Sequence, residues 1–397
     1  MIKVRRNLRL LPIFNFMNGF NLVYMILVLY TAELTGSYTK AMTILSLFSI
    51  FCSVLEIPTG MISDKIGRRY TIVVGTFCKL LSITSTAIAY YVTEYSFEVL
   101  ILGSFFQAVG YSLYSGTDEA LIYETMKELK SSKHFASFYG KIKSMNQLSM
   151  ATAALLSGFL AHIYSYIFVI WLSLIPIAIA VILSFFIIEP RVKDKDQNTK
   201  ANLNTVFKQF KKNKKLQYIS ISKIITEAFS VSLHRVEILY FEMLVSLPLI
   251  GIARFVKQVS GSISFWYSGK IISKLGNKKT LLFSQSSINI LRLISLLFNN
   301  TITPFLSAFC NLFWGVKMTS FNHLSQNEFN STQRATMGSA VSFFANILGS
   351  IVTIGIGYLS DITSPRFAIL IGTIPTILVL MIYGKIFNKE EIKQAAD

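Results

Sequence analysis

The chain has 397 residues, of which 52% are hydrophobic and 15% charged, and a formal net charge of +18. A soluble protein of this size does not carry so apolar a composition, so lipid is the expected solvent, and a soluble enzyme or nucleic-acid-binding domain is excluded. In a membrane chain a basic balance reports cytoplasmic loops rather than a nucleic-acid partner.

Crossing about 30 Å of hydrocarbon takes roughly 20 residues of helix. In chain order, the apolar segments of this length are 10–30, 41–63, 70–92, 98–124, 137–161, 166–188, 217–240, 248–271, 279–298, 303–327, 336–359 and 367–387. They predict an all-α integral membrane protein with twelve transmembrane helices. The basic start, Met1 to Arg9, precedes the first run without a small-residue cleavage site and reads as part of a retained span. Lys and Arg crowd onto segments 1–9, 64–69, 127–143, 189–215, 270–279 and 385–393, with Arg334 on the same side, whereas the intervening outward turns hold Lys40 and Arg366. The positive-inside bias then places both termini in the cytoplasm of a multi-pass protein of the cell inner (plasma) membrane.

Span 1 carries Asn15, Asn18 and Asn21 at a spacing of three, on adjoining parts of one helix face. That face either lines a cavity or bonds to neighbouring helices. In span 2, Glu56 stands before Pro58, about two turns from the end of the apolar run. A carboxylate there is costly; it either faces a water-filled cavity as a proton carrier or pairs with Lys79 of span 3. Span 4 ends with Tyr111, Tyr114, Asp118, Glu119 and Glu124, three acids in its cytoplasmic half, of which Asp118 and Glu119 cannot share a face.

In the second half Glu227, Arg254, Lys257, Arg292 and Lys317 lie well within their spans. At a rise of about 1.5 Å per residue, Glu227 and Lys317 fall roughly 15 to 20 Å deep. The excess of cations implies either a cavity for an anionic substrate or pairing with Glu56 and Asp118. Arg254 either joins that set or snorkels outward, as His234 and Arg235 near an outer end are expected to do. The proton-coupling candidates are Glu56, Asp118, Glu119 and Glu227. The substrate-cavity candidates are Asn15, Asn18, Lys79, Tyr111, Tyr114, Arg254, Lys257, Arg292 and Lys317, with Trp266 and Trp314 as further aromatic candidates. Cys52, Cys78 and Cys310 fall in apolar runs and the four histidines are scattered, so neither disulfide, metal nor cofactor is expected, and no enzymatic constellation is present.

Between spans 2 and 3 the decamer Gly60-Met61-Ile62-Ser63-Asp64-Lys65-Ile66-Gly67-Arg68-Arg69 forms a tight, charged turn. Gly60 would let helices approach closely, and Gly67 would permit the backbone reversal. A near copy, Gly269 to Lys279, lies between spans 8 and 9, with Ser273 where Asp64 stands. The lysine-rich stretch 189–215 separates the copies. The chain therefore divides into an N-terminal six-helix bundle (1–188), a basic cytoplasmic linker (189–215) and a C-terminal six-helix bundle (216–397). In the linker, Val206, Phe207 and Phe210 predict a short helix on the membrane surface.

The spacing of Gly60, Asp64, Gly67, Arg68 and Arg69 resembles the signature loop of the major facilitator superfamily of secondary transporters. That resemblance implies two pseudo-symmetric six-helix bundles, alternating access, a small-molecule substrate held between the bundles, and a monomer in the lipid bilayer. It also implies a gating loop in which Asp64 accepts hydrogen bonds from the start of span 11, with Glu124 close by. Glu56 together with the span 4 acids resembles an efflux-type bacterial branch, although Ser104 stands where many drug exporters carry arginine, and Ala151 to Gly158 holds no proline. The expected function is proton-coupled export of a small amphiphilic or anionic compound. The alternatives are proton-coupled uptake of an anionic nutrient and, from another class, a transport-incompetent membrane sensor.

Overall fold

In the computed structural model the described residues are 4–131, 135–191, 213–327 and 334–394, so the expected surface helix around Val206, Phe207 and Phe210 lies outside them. The side chain of Asp64 is likewise outside the described part. Among the described residues all regular structure is helical, and the chain separates into two compact units, Met1–Gln197 and Asn198–Asp397.

Unit 1 holds α1 (Asn7–Gly19), α2 (Val23–Thr35), α3 (Tyr38–Ile66), α4 (Arg68–Ile88), α5 (Ser96–Tyr114), α6 (Thr117–Glu128), α7 (Phe135–Ile163), α8 (Tyr166–Leu172) and α9 (Leu174–Phe185). Three of the expected spans are thus broken helices. The first breaks between α1 and α2, where the Asn21 side chain accepts from the backbone N–H groups of Val23 (3.0 Å) and Tyr24 (3.2 Å). Asn21 is therefore a cap for α2, and does not continue the face of Asn15 and Asn18. The fourth breaks at Ser115 and Gly116, the latter at φ +74°, a conformation glycine adopts without steric cost. This break puts Asp118 and Glu119 in the first turn of α6, where the helix dipole favours carboxylates.

In unit 1, α4 and α3 pack on α5, and α1 packs on α7. Close backbone approach does not occur at Gly60, where an added Cβ would meet nothing within 4 Å. It occurs between α4 and α5, where a Cβ on Gly110 would lie 2.6 Å from the Gly75 carbonyl oxygen and 2.8 Å from Lys79 Cγ. Gly110→Ala is accordingly expected to destabilise the protein by about 1–3 kcal/mol through overpacking. Thermal unfolding in detergent checks this, and an unchanged midpoint would contradict the packing described.

Unit 2 holds α10 (Lys214–Glu242), α11 (Leu247–Phe298), α12 (Thr303–Phe309), α13 (Asn311–Asn327), α14 (Arg334–Ile362) and α15 (Pro365–Gln394). Expected spans 8 and 9 both lie in α11, whose 52 residues bend at Gly276 (φ 70°, ψ 163°). Gly67, between α3 and α4, has nearly the same backbone (φ 96°, ψ 156°). The repeat extends to side chains: Thr71 donates to Gly67 O (2.8 Å) and Thr280 to Gly276 O (2.7 Å). Ser273, the counterpart of Asp64, donates to Lys270 O within its own helix (3.0 Å).

By length and composition, eight helical stretches among the described residues qualify to cross a membrane, α11 counting once across its bend. The expected spans below that threshold are the more polar α7, α10 and the α12–α13 pair. Unit 2 packs α11 on α13, and α10 on α14 and α15, around a core that includes Ile219, Leu281, Phe321, Val379 and Tyr383.

Candidate functional site

Unit 1 brings four of the expected cavity residues together. Lys79 Nζ on α4 donates to Asn18 Oδ1 (3.1 Å) and lies 4.5 Å from the ring centroid of Tyr114. The Tyr114 hydroxyl donates to Asn15 Oδ1 (2.5 Å), and the Asn15 amide donates back to Leu11 O (3.0 Å). A desolvated cation over an aromatic face contributes up to about 2 kcal/mol, so the Tyr114 ring helps to hold Lys79. Of the two readings of Glu56, the pair with Lys79 is not seen among the described residues; the Asn18 amide and the Tyr114 ring meet the amine instead. Glu56 itself is exposed. Tyr111, 50% exposed, stands at the edge of Phe48 with ring centroids 6.0 Å apart.

The three acids at the end of expected span 4 are engaged. Buried Asp118 accepts from Lys143 Nζ (2.9 Å), and Glu119 accepts from the Tyr139 hydroxyl (3.1 Å). Glu124 pairs with Arg68 Nε at 3.5 Å, and Arg68 Nη1 donates to Ser63 Oγ (2.9 Å), which also accepts from Thr117 (3.0 Å). Arg68 and Arg69, expected in the gating loop with Glu124, tie the Gly67 reversal to α6 and to the end of α9. Their backbone N–H groups donate to Glu189 Oε1 (2.9 Å) and Oε2 (2.6 Å), and Arg69 Nη2 donates to Phe185 O (2.7 Å). A carboxylate from 120 residues away therefore caps α4, whose own N-cap glycine offers no side chain. Beside this network lies a cavity of about 300 Å³ lined by Arg68, Glu119, Tyr123, Glu124 and Phe135.

Unit 2 assembles a second set around Glu237, an acid the hydropathy reading passed over. Its carboxylate accepts from Lys257 Nζ (2.8 Å) and lies 3.7 Å from Arg292 Nε. His234, three residues earlier, stands with Nδ1 2.8 Å from Lys257 Nζ and Nε2 2.6 Å from Arg254 Nη1. His234 and Arg254 meet each other within this set, so of the two readings of Arg254 the one that joins the set matches its position. The side chains of Glu237 and Arg292 are 5% and 9% exposed, against 37% for His234, which forms the accessible edge of the group. These residues converge because α10, both arms of α11 and the α12–α13 junction meet there; Asn311 donates to Lys257 O (3.1 Å).

Lys317 is a separate feature. Its side chain is buried, and Nζ donates to Gln285 Oε1 (3.0 Å), from which a chain of bonds runs through Asn289 (3.0 Å) to Thr376 (2.9 Å). Among the described residues no carboxylate lies within ion-pair distance of it. Glu227 pairs instead with Lys223 one turn away (3.8 Å). Trp266 is 83% exposed, and Trp314 packs edge-on to Phe265 with ring centroids 5.4 Å apart.

Chemically, unit 2 concentrates hydrogen-bond donors of positive charge around one carboxylate. Such a set can hold an anion, exchange one anion for another, or take up a proton as the carboxylate is displaced. Glu237 was discoverable in the sequence as an acid three residues after a histidine, inside an apolar stretch.

Comparison with known proteins places this geometry. The family model described as Major Facilitator Superfamily matches residues 10–354. An uncharacterised MFS-type transporter of Methanocaldococcus jannaschii is 28% identical over 146 residues, which span 35% of this chain and 34% of that relative. Among solved structures, the nucleoside transporter NupG aligns with a TM-score of 0.77 at 15% identity, over 97% of this chain and 99% of that one. A bacterial homologue of the iron transporter ferroportin, inward-facing, gives 0.76 at 13% identity over 97% and 99% of the two chains. The E. coli fucose:proton symporter FucP gives 0.59 at 16% over the same shares. With the family model covering most of its length and its fold shared with these carriers, the chain belongs to the Major Facilitator Superfamily and is a multi-pass secondary transporter.

Proposed function

We propose that this transporter moves a small organic anion together with a proton by alternating access. The observation that carries the reading is the charge balance of unit 2. Lys257, Arg292 and Lys317 are buried or nearly so, with Arg254 beside them, and among the described residues Glu237 is the one buried acid of that unit. Cations withdrawn from water are costly unless negative charge meets them, and an anionic substrate supplies it.

Co-movement of a proton leaves little net charge to carry across the bilayer, which matters at about 2.3 kcal/mol per charge per 100 mV. Under an inward proton gradient this coupling drives uptake. Export, expected from the resemblance to an efflux-type branch, needs protons moving against the substrate. Of the acids expected to serve it, Asp118 pairs with Lys143, Glu119 accepts from Tyr139 and Glu227 pairs with Lys223. Glu56 remains exposed.

The test is flux into proteoliposomes of labelled aromatic carboxylates, sulfonates and phosphate monoesters, with the outside acid. Accumulation of an anion above its diffusive level is the expected result. Accumulation confined to cations or neutral compounds overturns the reading, as does ligand binding with no flux, the behaviour of a sensor.

A further inference from the structure

We infer that Glu237 is the built-in counter-ion of an anion site formed by Lys257 and Arg292: its carboxylate occupies the place of the substrate's anionic group and takes up the co-transported proton when that group displaces it. The inference rests on the anion reading above and assigns the coupling to a residue that the sequence did not single out.

Three observations carry it. First, Glu237 is gripped by both cations at once, Lys257 Nζ at 2.8 Å and Arg292 Nε at 3.7 Å, as a bound carboxylate would be. Second, the grip is incomplete. Arg292 is 7% exposed, yet among the described residues its Nε and Nη1 have no hydrogen-bond partner, so the guanidinium keeps spare donors buried against the cluster. Third, the group has an accessible edge at His234, beside the amine of Lys257.

The coupling follows from mutual exclusion. While Glu237 is ionised it competes with any incoming anion for the same two cations. When an anion takes Lys257 and Arg292, the Glu237 carboxylate loses its partners and binds a proton from water: one anion enters, one proton enters, and the charge of the site is unchanged. By reciprocity the proton strengthens anion binding by the factor that the anion strengthens proton binding. Both ride in the same direction.

The charged and titratable groups around Glu237 fit this account. His234 lies on its own helix, Arg254 and Lys257 on the first arm of α11, Arg292 on the second, and the Cys310 thiol at the α12–α13 junction is bonded to Ile288 O (3.7 Å). On the helices packed against the other faces of α10, the charged groups at this end are Asp361 of α14 and Arg366 of α15, the latter donating to Leu296 O (3.1 and 2.7 Å).

The experiment uses the purified full chain in detergent, with methanesulfonate and 2-naphthalenesulfonate as probes because their charge is fixed across the range. Binding is measured calorimetrically at about pH 5.5 and about pH 8, in buffers of differing ionisation enthalpy to count protons. Wild type is expected to bind at least about tenfold more tightly at the acid pH and to take up about one proton per anion. Glu237→Gln should bind with less than about twofold pH dependence and no proton uptake, Glu237→Asp should restore both, and Lys257→Met should lose binding at either pH. Glu237→Gln that keeps the wild-type pH profile and proton uptake overturns the role of Glu237 while leaving the anion reading intact. Wild type that binds neither sulfonate at either pH overturns both. Should Glu237→Gln fail to fold, wild-type binding without proton uptake is sufficient to overturn the inference.

Discussion

Glu237→Ala is expected to lower stability by about 3–5 kcal/mol, and adding Lys257→Met to it is expected to recover more than half of that loss. The single change leaves Lys257 and Arg292, 13% and 9% exposed, facing each other across the site without the carboxylate between them. Desolvating cations is costly, and the Coulomb attraction of Glu237 is what offsets it. Lys257→Met alone is expected to cost less than Glu237→Ala, because Glu237 keeps Arg292. A flexible apolar thioether also fills the space of the lysine stem. The non-additivity of the two changes, read from unfolding midpoints in detergent, measures the coupling directly. Additive losses would show that Glu237 and Lys257 do not share their energetics, and the anion site would lose its foundation.

Arg68→Ala is the second change with a large expected effect, about 3 kcal/mol, because it removes the guanidinium from Glu124, whose side chain is 2% exposed. It also removes the donor to Ser63, the hydroxyl through which Arg68 reaches Thr117. The Glu189 cap on α4 survives, since it uses the backbone N–H of residues 68 and 69. The damage should therefore stay local: the α6 start loosens while α4 remains capped. A cysteine placed at Ala120, which lines the cavity beside Glu124, should react faster with a maleimide in the Arg68→Ala background. Equal reactivity, or a stability loss below about 1 kcal/mol, would show Arg68 to be an ordinary surface charge of the kind that contributes little.

The features legible in the sequence were those that depend on composition averaged over a helix length. The apolar segments, the Gly60–Arg69 turn and its copy at Gly269–Lys279 were all readable, and Gly67 and Gly276 do share an unusual backbone. The breaks at Asn21 and Gly116 were not readable, because a two- or three-residue interruption hardly changes the hydropathy of a window of about 20 residues. Side-chain pairing was less legible still. Lys79 was placed correctly inside a span, but its choice of Asn18 and Tyr114 over Glu56 depends on helix rotation, which hydropathy does not encode. Glu237 escaped notice because its partners Lys257 and Arg292 are brought to it by two turns of chain reversal. Once the helices are assembled, two of the apparently unmatched cations, Lys257 and Arg292, share Glu237 as their counter-ion.

The most direct test of the central claim is the pH inside lightly buffered proteoliposomes, followed with a trapped pH-sensitive dye, when a gradient of a transported anion is imposed without any initial pH difference. Anion entry with a proton predicts that the lumen acidifies in step with the anion, and that a protonophore abolishes the signal without abolishing anion entry. Lumenal alkalinisation, or anion entry with no change in pH, would contradict it.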